Sequence, residues 1–285
     1  MLNPVADKYR EEALTLITTQ NVLEYMSYFR ILKLKQIAKL YEKAAAEYTA
    51  SDIFVSAAEC YFAAAYNFML ADVLDKSAQH YILSAKMYDF IDYKKSITAY
   101  LHAVDIYKIH NRTEMCVKCY NNVASIYLRE QRFKEAICFF EMCIQTSITD
   151  NRDIVPFQER IAMIHVVYYK YYSIAITVYD SIIQKTQNEQ LLYPFMMISI
   201  LLRILVNEEK SSIERYIDSC LGVGTFLNTD YFVFIREILY IIYSNLEQLE
   251  KKQKMNDCYK FYSKREAGFN NIVVSHLVMQ VFMME

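Results

Sequence analysis

Small and aromatic residues recur at a fixed spacing between residues 38 and 127. In five segments, a small or aliphatic residue is followed three, seven and ten residues later by three further core-type residues, mostly Tyr and Ala. The spacing i, i+3, i+7, i+10 places all four residues on one face of an α-helix. The sets are Ala38, Tyr41, Ala45, Tyr48; Ala58, Tyr61, Ala65, Phe68; Ala78, Tyr81, Ala85, Tyr88; Ile97, Tyr100, Val104, Tyr107; and Val117, Tyr120, Ala124, Tyr127. The pattern therefore predicts five successive helices, one about every 20 residues.

The alternation of small and aromatic residues has a steric reason. Ala lets a neighbouring helix approach closely, and a Tyr or Phe from the next helix fills the space above it. Two helices make a unit of about 40 residues, longer than the 34 residues of the tetratricopeptide unit, which shares this logic. Four polar residues suited to caps and turns lie between the sets: Asp52, Asp72, Asp92 and Asn111. We therefore expect antiparallel helices joined by short turns.

The helical pattern continues beyond residue 127 but becomes less regular. A sixth helix is predicted over 133–145, with Ala136, Phe140 and Cys143 facing inward, and a polar loop over 149–156. Further helices are predicted over 157–170, 172–185, 192–207, 211–220, 230–249 and 256–284, with a linker at 187–190 and a bend at 222–224. Residues 193–285 would close the end of the stack, because a solenoid needs capped ends.

The predicted fold is all-α: a tetratricopeptide-like, right-handed twisted sheet of antiparallel helix hairpins with a C-terminal helical bundle. The predicted domains are the helical-repeat sheet over 1–186 and the bundle over 187–285. Composition agrees, because 54% of the 285 residues are hydrophobic and Gly and Pro occur three times each. A sheet protein of this size would need many more turn residues.

Charge and cysteine content narrow the function classes. The formal net charge is −2 and no Lys/Arg-rich block stands out, so no nucleic-acid partner is expected. The seven Cys are odd in number and no signal peptide opens the chain, so reduced thiols in the cytosol are expected. Cys116-x-x-Cys119 has the spacing of a redox motif or half a zinc site, but no second ligand pair completes it. Both residues also fall within the fifth repeat helix, which favours a packing role.

Catalytic constellations are missing from the sequence. It contains no glycine-rich phosphate loop, no HExxH and no GxSxG. His80 and His102 each stand beside a repeat Tyr, so partly exposed helix positions are expected for both. We expect no enzyme activity, no cofactor, no metal and no small-molecule substrate. A helical enzyme whose catalytic residues come from distant positions remains an alternative.

Five stretches carry a resemblance to a known family. They are QIAKLYEKAAAEY (36–48), SAAECYFAAAYNF (56–68), SAQHYILSAKMY (77–88), KKSITAYLHAVDIY (94–107) and NNVASIYLREQRFKEAICFFE (121–141). The recurrence of Ala and Tyr in these stretches, their order and their 20-residue spacing resemble the soluble NSF attachment proteins, the SNAP adaptors of membrane fusion. The last stretch is closer to the α/β type of that family than to the γ type. The resemblance covers residues 36–184 well and the C-terminal third weakly.

The resemblance implies an adaptor function. SNAPs bind the rod of an assembled SNARE four-helix bundle (the syntaxin-type complex) and recruit the hexameric AAA ATPase NSF, which pulls the bundle apart in vesicle trafficking such as ER–Golgi transport. SNARE bundles are acidic, so basic side chains on the helical sheet should attract them. Arg112 and Lys118 match the family's basic positions; Arg160 is a looser candidate and Arg203 looser still.

The resemblance also implies a peripheral membrane contact. SNAPs carry an apolar loop near the N-terminus, and the matching stretch here contains Tyr25, Met26, Tyr28 and Phe29, followed by basic residues. The stretch lacks the glycines of the family's loop, and it could instead be helix core. The implied location is the cytoplasm, peripheral on membranes.

The C-terminus departs further from the family pattern. SNAPs use acidic residues of the C-terminal bundle and a leucine near the chain end to engage NSF. Here the corresponding candidates are Asp230, Glu247, Glu250, Met284 and Glu285. Recruitment of the ATPase is expected through these residues. The main alternative function is a tetratricopeptide-like scaffold that binds an unrelated client in its groove.

Overall fold

The computed structural model describes residues 3–18, 27–186, 189–221, 225–265, 268 and 271–283. In these residues all regular structure is helical, with fourteen α-helices and no strand. The predicted all-α fold class is confirmed. The chain forms two compact units, Met1–Ile154 and Val155–Glu285. The first unit therefore ends earlier than the predicted domain boundary at 186–187, because the helices after Ile154 pack with the C-terminal ones.

Seven helices build the first unit, and each packs most extensively against its neighbours in sequence. They are α1 (Pro4–Thr18), α2 (Ser27–Ala50), α3 (Phe54–Leu70), α4 (Leu74–Tyr88), α5 (Tyr93–Ile109), α6 (Thr113–Arg129) and α7 (Phe133–Thr149). The five predicted sets lie on α2 to α6, one set per helix. All their members are buried except Tyr61, Val117 and Tyr127, which are half-buried. The small/aromatic period therefore marks the face on which each helix packs.

A repeated turn explains why so few glycines suffice. After α2, α3, α5, α6 and α7, one residue adopts a left-handed conformation with φ between 51° and 58°. The amide of the next residue then donates to a carbonyl five residues back, as in Ile53 N to Tyr48 O at 2.9 Å and Arg132 N to Tyr127 O at 2.8 Å. This is the Schellman motif, in which Gly is usual and Asn is tolerated. The left-handed residues are Asp52, Asp72, Asn111, Gln131 and Asn151. Asp92 differs, because its side chain caps α5 by accepting from Lys94 N and Lys95 N.

Gln131→Gly is expected to stabilise the first unit. Gln has no local hydrogen bond that favours the left-handed region, so relieving its Cβ crowding should outweigh the added chain entropy of Gly by about 0.5–1 kcal/mol. Urea unfolding of the two proteins measures the difference. Gln131→Ala is the control and should give no gain, and Asn111→Gly should give less. A Gly variant no more stable than the Ala variant would contradict this reading of the turn.

Small polar side chains link neighbouring helices at repeated positions. Near the start of α4, α5 and α6, a Ser or Cys donates to a carbonyl of the preceding helix, and Ser84 and Cys143 donate in the same way from further along α4 and α7. The bonds are Ser77 to Ala65 O, Ser96 to Ala85 O and Ser84 to Ala58 O, each 2.8 Å, with Cys116 to Val104 O at 3.8 Å and Cys143 to Val117 O at 3.6 Å. Cys116 thus occupies the position that Ser77 and Ser96 hold in earlier helices. The repeat therefore specifies interhelical hydrogen bonds as well as close packing.

The second unit contains seven further helices around one apolar core. They are α8 (Val155–Ile164), α9 (Tyr172–Lys185), α10 (Glu189–Leu205), α11 (Lys210–Leu221), α12 (Asp230–Tyr243), α13 (Gln248–Tyr262) and α14 (Ile272–Phe282). A π-helical turn, His165–Tyr169, follows α8 and ends at left-handed Lys170. The predicted linker at 187–190 is partly helical because α10 begins at Glu189, and the predicted bend at 222–224 lies outside the described residues.

Two predicted C-terminal helices were too long. The helix expected over 230–249 ends at Tyr243, where Ser244 is extended and the Lys251 ammonium donates to Ile242 O at 2.8 Å. That bond satisfies a carbonyl at the helix end, which lets the chain turn there. The helix expected over 256–284 is instead α13 followed by α14, which begins after Asn271 caps Val273 N at 2.8 Å. Hydrophobic periodicity alone does not show such caps.

Candidate protein-binding surface

Arg112 and Lys118 both lie at the N-terminal end of α6, and both are exposed. Arg112 is the residue immediately before the helix, and its Nη2 lies 3.0 Å from Oδ1 of Asp75 in the first turn of α4. Lys118 Nζ lies 2.6 Å from Oε1 of Glu114, one helical turn earlier. The structure thus brings the two predicted cations together at one end of the helix, and it pairs each with a carboxylate.

The ion pairs continue into the segment after α7. Arg152 Nη1 lies 3.3 Å from Glu114 Oε2, and Arg152 Nε lies 3.2 Å from Asp150 Oδ2. The Thr113 hydroxyl also donates to Asp150. Hydrogen bonding to Lys118, and then to Arg152, lowers the pKa of Glu114, so this carboxylate stays ionised. We name Asp75, Arg112, Glu114, Lys118, Asp150 and Arg152 the α6 charge network.

The α6 charge network has no net formal charge, because three cations face three carboxylates. The first unit as a whole carries 18 Lys and Arg against 19 Asp and Glu, a net charge of −1. Attraction of an acidic partner must therefore come from local arrangement rather than from overall charge. The cations could be predicted from the sequence but the partner of Arg112 could not, because Asp75 stands 37 residues before it and only the helix register brings the two together.

Arg160 and Arg203 lie in the second unit and have different surroundings. Arg160 is exposed on α8. The Arg203 side chain is only 14% exposed; its guanidinium lies 2.5 Å from Asp180 Oδ2 and 3.0 Å from Glu208 Oε1, and it stacks 4.0 Å from the centre of the Tyr216 ring. A cation enclosed in this way holds α9, α10 and α11 together. The enclosure of Arg203 indicates a structural role, and a SNARE contact through this residue stays a prediction.

The predicted membrane residues are partly described. Tyr25 and Met26 lie outside the described residues. Tyr28 and Phe29 belong to the first turn of α2, which begins at Ser27. The Phe29 side chain is 41% exposed, so it is not helix core. Among the described residues no helix combines the length and apolarity needed to cross a bilayer. Membrane contact through this stretch stays a prediction.

The predicted ATPase-recruiting carboxylates do not form one cluster. Asp230 opens α12 and binds Arg265, with Nε–Oδ2 at 2.7 Å. Glu247 and Glu250 are exposed at the start of α13, and Glu250 pairs with Lys254 at 2.9 Å. The 13 residue steps of α12 separate Asp230 from Tyr243, at the other end of that helix, by about 20 Å. Met284 and Glu285 lie outside the described residues.

His80 is buried, contrary to the sequence expectation. Its Nδ1 lies 2.7 Å from Lys76 O and its Nε2 lies 3.4 Å from a carboxylate oxygen of Glu42. His102 is exposed, as expected, and its ring stacks on Tyr81 at 5.0 Å. Two polar neighbours thus allow the imidazole of His80 to lie inside the helix stack. In the described part of the chain, no three His, Cys, Asp or Glu residues are arranged to hold a metal ion.

Cys116 and Cys119 are buried on the packing side of α6. Burial raises the pKa of the Cys119 thiol to about 12 and raises that of Cys116 as well. A buried thiol with a raised pKa is a poor nucleophile. Both residues therefore fill the core of the repeat rather than forming a redox site.

A thiol reagent should modify Cys138 first in the folded protein. Cys138 is exposed on α7, whereas the other six Cys are buried. Brief treatment with iodoacetamide at pH 8, followed by mass spectrometry, identifies the labelled residues. The same treatment in urea is the control and should label all seven Cys. Labelling of Cys116 or Cys119 in the folded protein as fast as that of Cys138 would contradict the packing role.

Comparison with known protein families matches residues 17–219 to the soluble NSF attachment proteins. The match begins at the end of α1, includes all five repeat helices and continues to α11. It covers more than two thirds of the chain. The chain belongs to the SNAP family. The resemblance that the repeat segments carry is thereby confirmed. A comparison with curated proteins finds no match.

Solved structures similar to this SNAP-family chain are distant. BtubC (BKLC) from P. vanneervenii is 15% identical with a TM-score of 0.39, and the match covers 78% of this chain and 89% of that one. Aspartyl phosphate phosphatase F from Bacillus subtilis is also 15% identical, with a TM-score of 0.37, over 98% of this chain and 65% of that one. Likeness at this level indicates nothing about function. Function is instead indicated by SNAP-family membership and by the exposed charged residues described above.

Proposed function

We propose that this SNAP-family chain is an adaptor that binds assembled SNARE complexes and recruits an NSF-type ATPase for their disassembly. The observation that carries the proposal is the family match over residues 17–219, which includes the α6 charge network and most of the helical-repeat unit. An adaptor needs surfaces rather than a catalytic site. We propose no catalytic role for any residue.

Arg112 and Lys118 are the proposed contacts for the acidic SNARE bundle. Each is already paired with a carboxylate, so binding requires that these pairs exchange for pairs with the partner. Exposed ion pairs contribute little to stability because solvent screens them, so the exchange costs little and the net gain per residue is also small. Several contacts must therefore act together, and binding should weaken with salt.

Recruitment of the ATPase is proposed for the second unit. Glu247 and Glu250 present carboxylates at the exposed start of α13, and Asp230 is held in place by Arg265. Exposed Phe29, followed directly by Arg30, supports a peripheral contact with the membrane surface, because aromatic and basic residues together suit a bilayer interface. The proposed location is the cytoplasmic side of membranes.

The proposal is tested by binding to SNARE proteins from the same organism. The immobilised chain should retain the assembled complex and should retain the separate subunits much less. A buffer series from about 50 to 300 mM salt should weaken the retention, since the contacts are exposed charges. Equal retention of separate subunits, or no retention of the complex at the lowest salt, would refute the proposal.

One alternative function is also consistent with an α6 charge network that has no net charge. A helical-repeat scaffold with an unrelated client would not need a net basic surface, and the first unit does not have one. Such a chain would ignore the assembled SNARE complex at every salt concentration. The experiment above therefore separates the two functions.

A further inference from the structure

An apolar groove lies on the first unit, away from the α6 charge network. It has a volume of about 760 Å³ and is lined by residues of α1, α2, α3 and α4. Its α2 residues include Leu34, Ile37 and Tyr41, which lie on one face of that helix. Its α3 residues include Phe62 and Tyr66, which are four residues apart and so also share a face. Neither the family match nor the proposed SNARE contact gives this groove an occupant.

Large apolar side chains remain exposed along the groove. Ile17 of α1 and Tyr66 of α3 are each 49% exposed, and Leu70 at the end of α3 is 43% exposed. Single exposed apolar residues are ordinary on a protein surface, but a contiguous group in a concave site is typical of a binding surface. The groove therefore has the character of a site that a partner covers.

Charge differs between the two ends of the groove. Arg30 and Lys33 line the end near the start of α2, where α3 finishes at Leu70. Glu59 lines the opposite end, where Arg10 Nη2 lies 3.7 Å from its carboxylate. The 11 residue steps from Glu59 to Leu70 span about 16 Å, which is three turns of an α-helix.

We propose that this groove binds an amphipathic helix of about three turns from another protein, with an acidic end that meets Arg30 and Lys33. Helix-in-groove recognition uses apolar anchors at i, i+3/i+4 and i+7, which match an open apolar groove of this length. A single anionic lipid fits less well, because its acyl chains would end against the polar Arg10–Glu59 ion pair at the far end. The ligand is also distinct from an assembled SNARE bundle, since a four-helix bundle keeps its apolar faces inside.

Two synthetic peptides test the proposal by fluorescence anisotropy. Both are fluorescein-labelled, helix-favouring and about 14 residues long, with Leu at positions i, i+4, i+7 and i+11. One ends in two Glu residues and the other in two Lys residues. The Glu-ended peptide should bind saturably, and the Lys-ended peptide should bind about threefold or more weakly, since each exposed charge pair contributes little.

Matched variants assign the binding to the groove. Leu70→Glu places a charge among the apolar anchors and should weaken the Glu-ended peptide about tenfold or more. Ile109→Glu is the control, because Ile109 is 70% exposed and lies outside the groove, and it should leave binding unchanged. The double variant Arg30→Glu/Lys33→Glu should invert the preference, so that the Lys-ended peptide binds more tightly.

Other occupants would overturn the proposal. Saturable binding of oleate that excludes both peptides would make the groove a lipid site. Self-association that Leu70→Glu abolishes, observed by sedimentation, would make it an interface between two copies. Failure of both peptides to saturate at about 200 µM would leave affinities too weak for specific recognition and would refute it. The outcome does not depend on SNARE binding, which the double variant Arg112→Glu/Lys118→Glu tests separately.

Discussion

Arg203→Ala is expected to lower the free energy of unfolding of the second unit by about 3 kcal/mol. The guanidinium pairs with Asp180 and Glu208 and covers the Tyr216 ring, and its removal leaves both partly buried carboxylates without a cation. Breaking a buried pair from one side costs about 3–5 kcal/mol, and the partial exposure of both carboxylates favours the lower end. Urea unfolding followed by circular dichroism measures the change.

Two further variants make this expectation specific. Arg215→Ala removes an exposed arginine of α11 whose side chain donates to Ser211 O within its own helix, and it should change stability by less than about 0.5 kcal/mol. Adding Asp180→Asn to Arg203→Ala should cost less than the sum of the single changes, since the two side chains interact. A fully stable Arg203→Ala protein would contradict the structural role of Arg203.

Arg112→Glu/Lys118→Glu is expected to weaken binding of the assembled SNARE complex about tenfold or more at low salt. Each reversal removes an attraction to an acidic partner and adds a repulsion, so the two reversals together make the local charge four units more negative. Both side chains are exposed at the start of α6, so the protein should remain folded. Equilibrium binding at about 50 mM salt measures the loss, because screening is weak there.

The repeat supplies a matched control for this double reversal. Arg132 precedes α7 with φ −90° and ψ 69°, close to the φ −87° and ψ 68° of Arg112 before α6, and it pairs with Glu135. Because α6 and α7 are antiparallel, Arg132 lies at the opposite end of this helix pair from Arg112. Arg132→Glu/Lys134→Glu should therefore leave SNARE binding unchanged. An equal loss in both double variants would show that only overall charge matters.

The α6 charge network also predicts a gain of affinity. Asp75→Asn and Glu114→Gln would release Arg112 and Lys118 from their partners within the chain. The released cations no longer have to exchange partners on binding, so affinity for an acidic bundle should rise about threefold. Affinity could instead stay unchanged in this variant while Arg112→Glu/Lys118→Glu weakens binding. The SNARE bundle would then contact the two cations, and Asp75 and Glu114 would not compete with it for them.

Much of the first unit could be predicted because its repeat is local. The i, i+3, i+7, i+10 sets depend only on residues within one helix, and the buried faces of α2 to α6 follow from them. The left-handed residues were less evident, since Asp52 and Asp72 serve as the turn after a helix and only Asp92 as a side-chain cap. Short polar residues suit both roles, so the sequence alone does not distinguish them.

The surroundings of charged residues could not be predicted, because their partners are distant in sequence. Arg112 and Asp75 meet only when α4 and α6 lie side by side, and Arg203 is enclosed only when α9, α10 and α11 have packed. His80 is buried for the same reason, since Glu42 on α2 reaches it. A basic residue at a position that matches the family pattern is therefore a candidate SNARE contact. The carboxylates around it determine whether its charge is available to a partner.

The most direct test of the proposed function is reconstituted disassembly. A preassembled, fluorescently labelled SNARE complex is mixed with the NSF-type ATPase of the same organism and ATP, with and without this chain. The proposed function predicts that disassembly depends on the chain and falls with Arg112→Glu/Lys118→Glu but not with Arg132→Glu/Lys134→Glu. Disassembly at the same rate with and without the chain would contradict it.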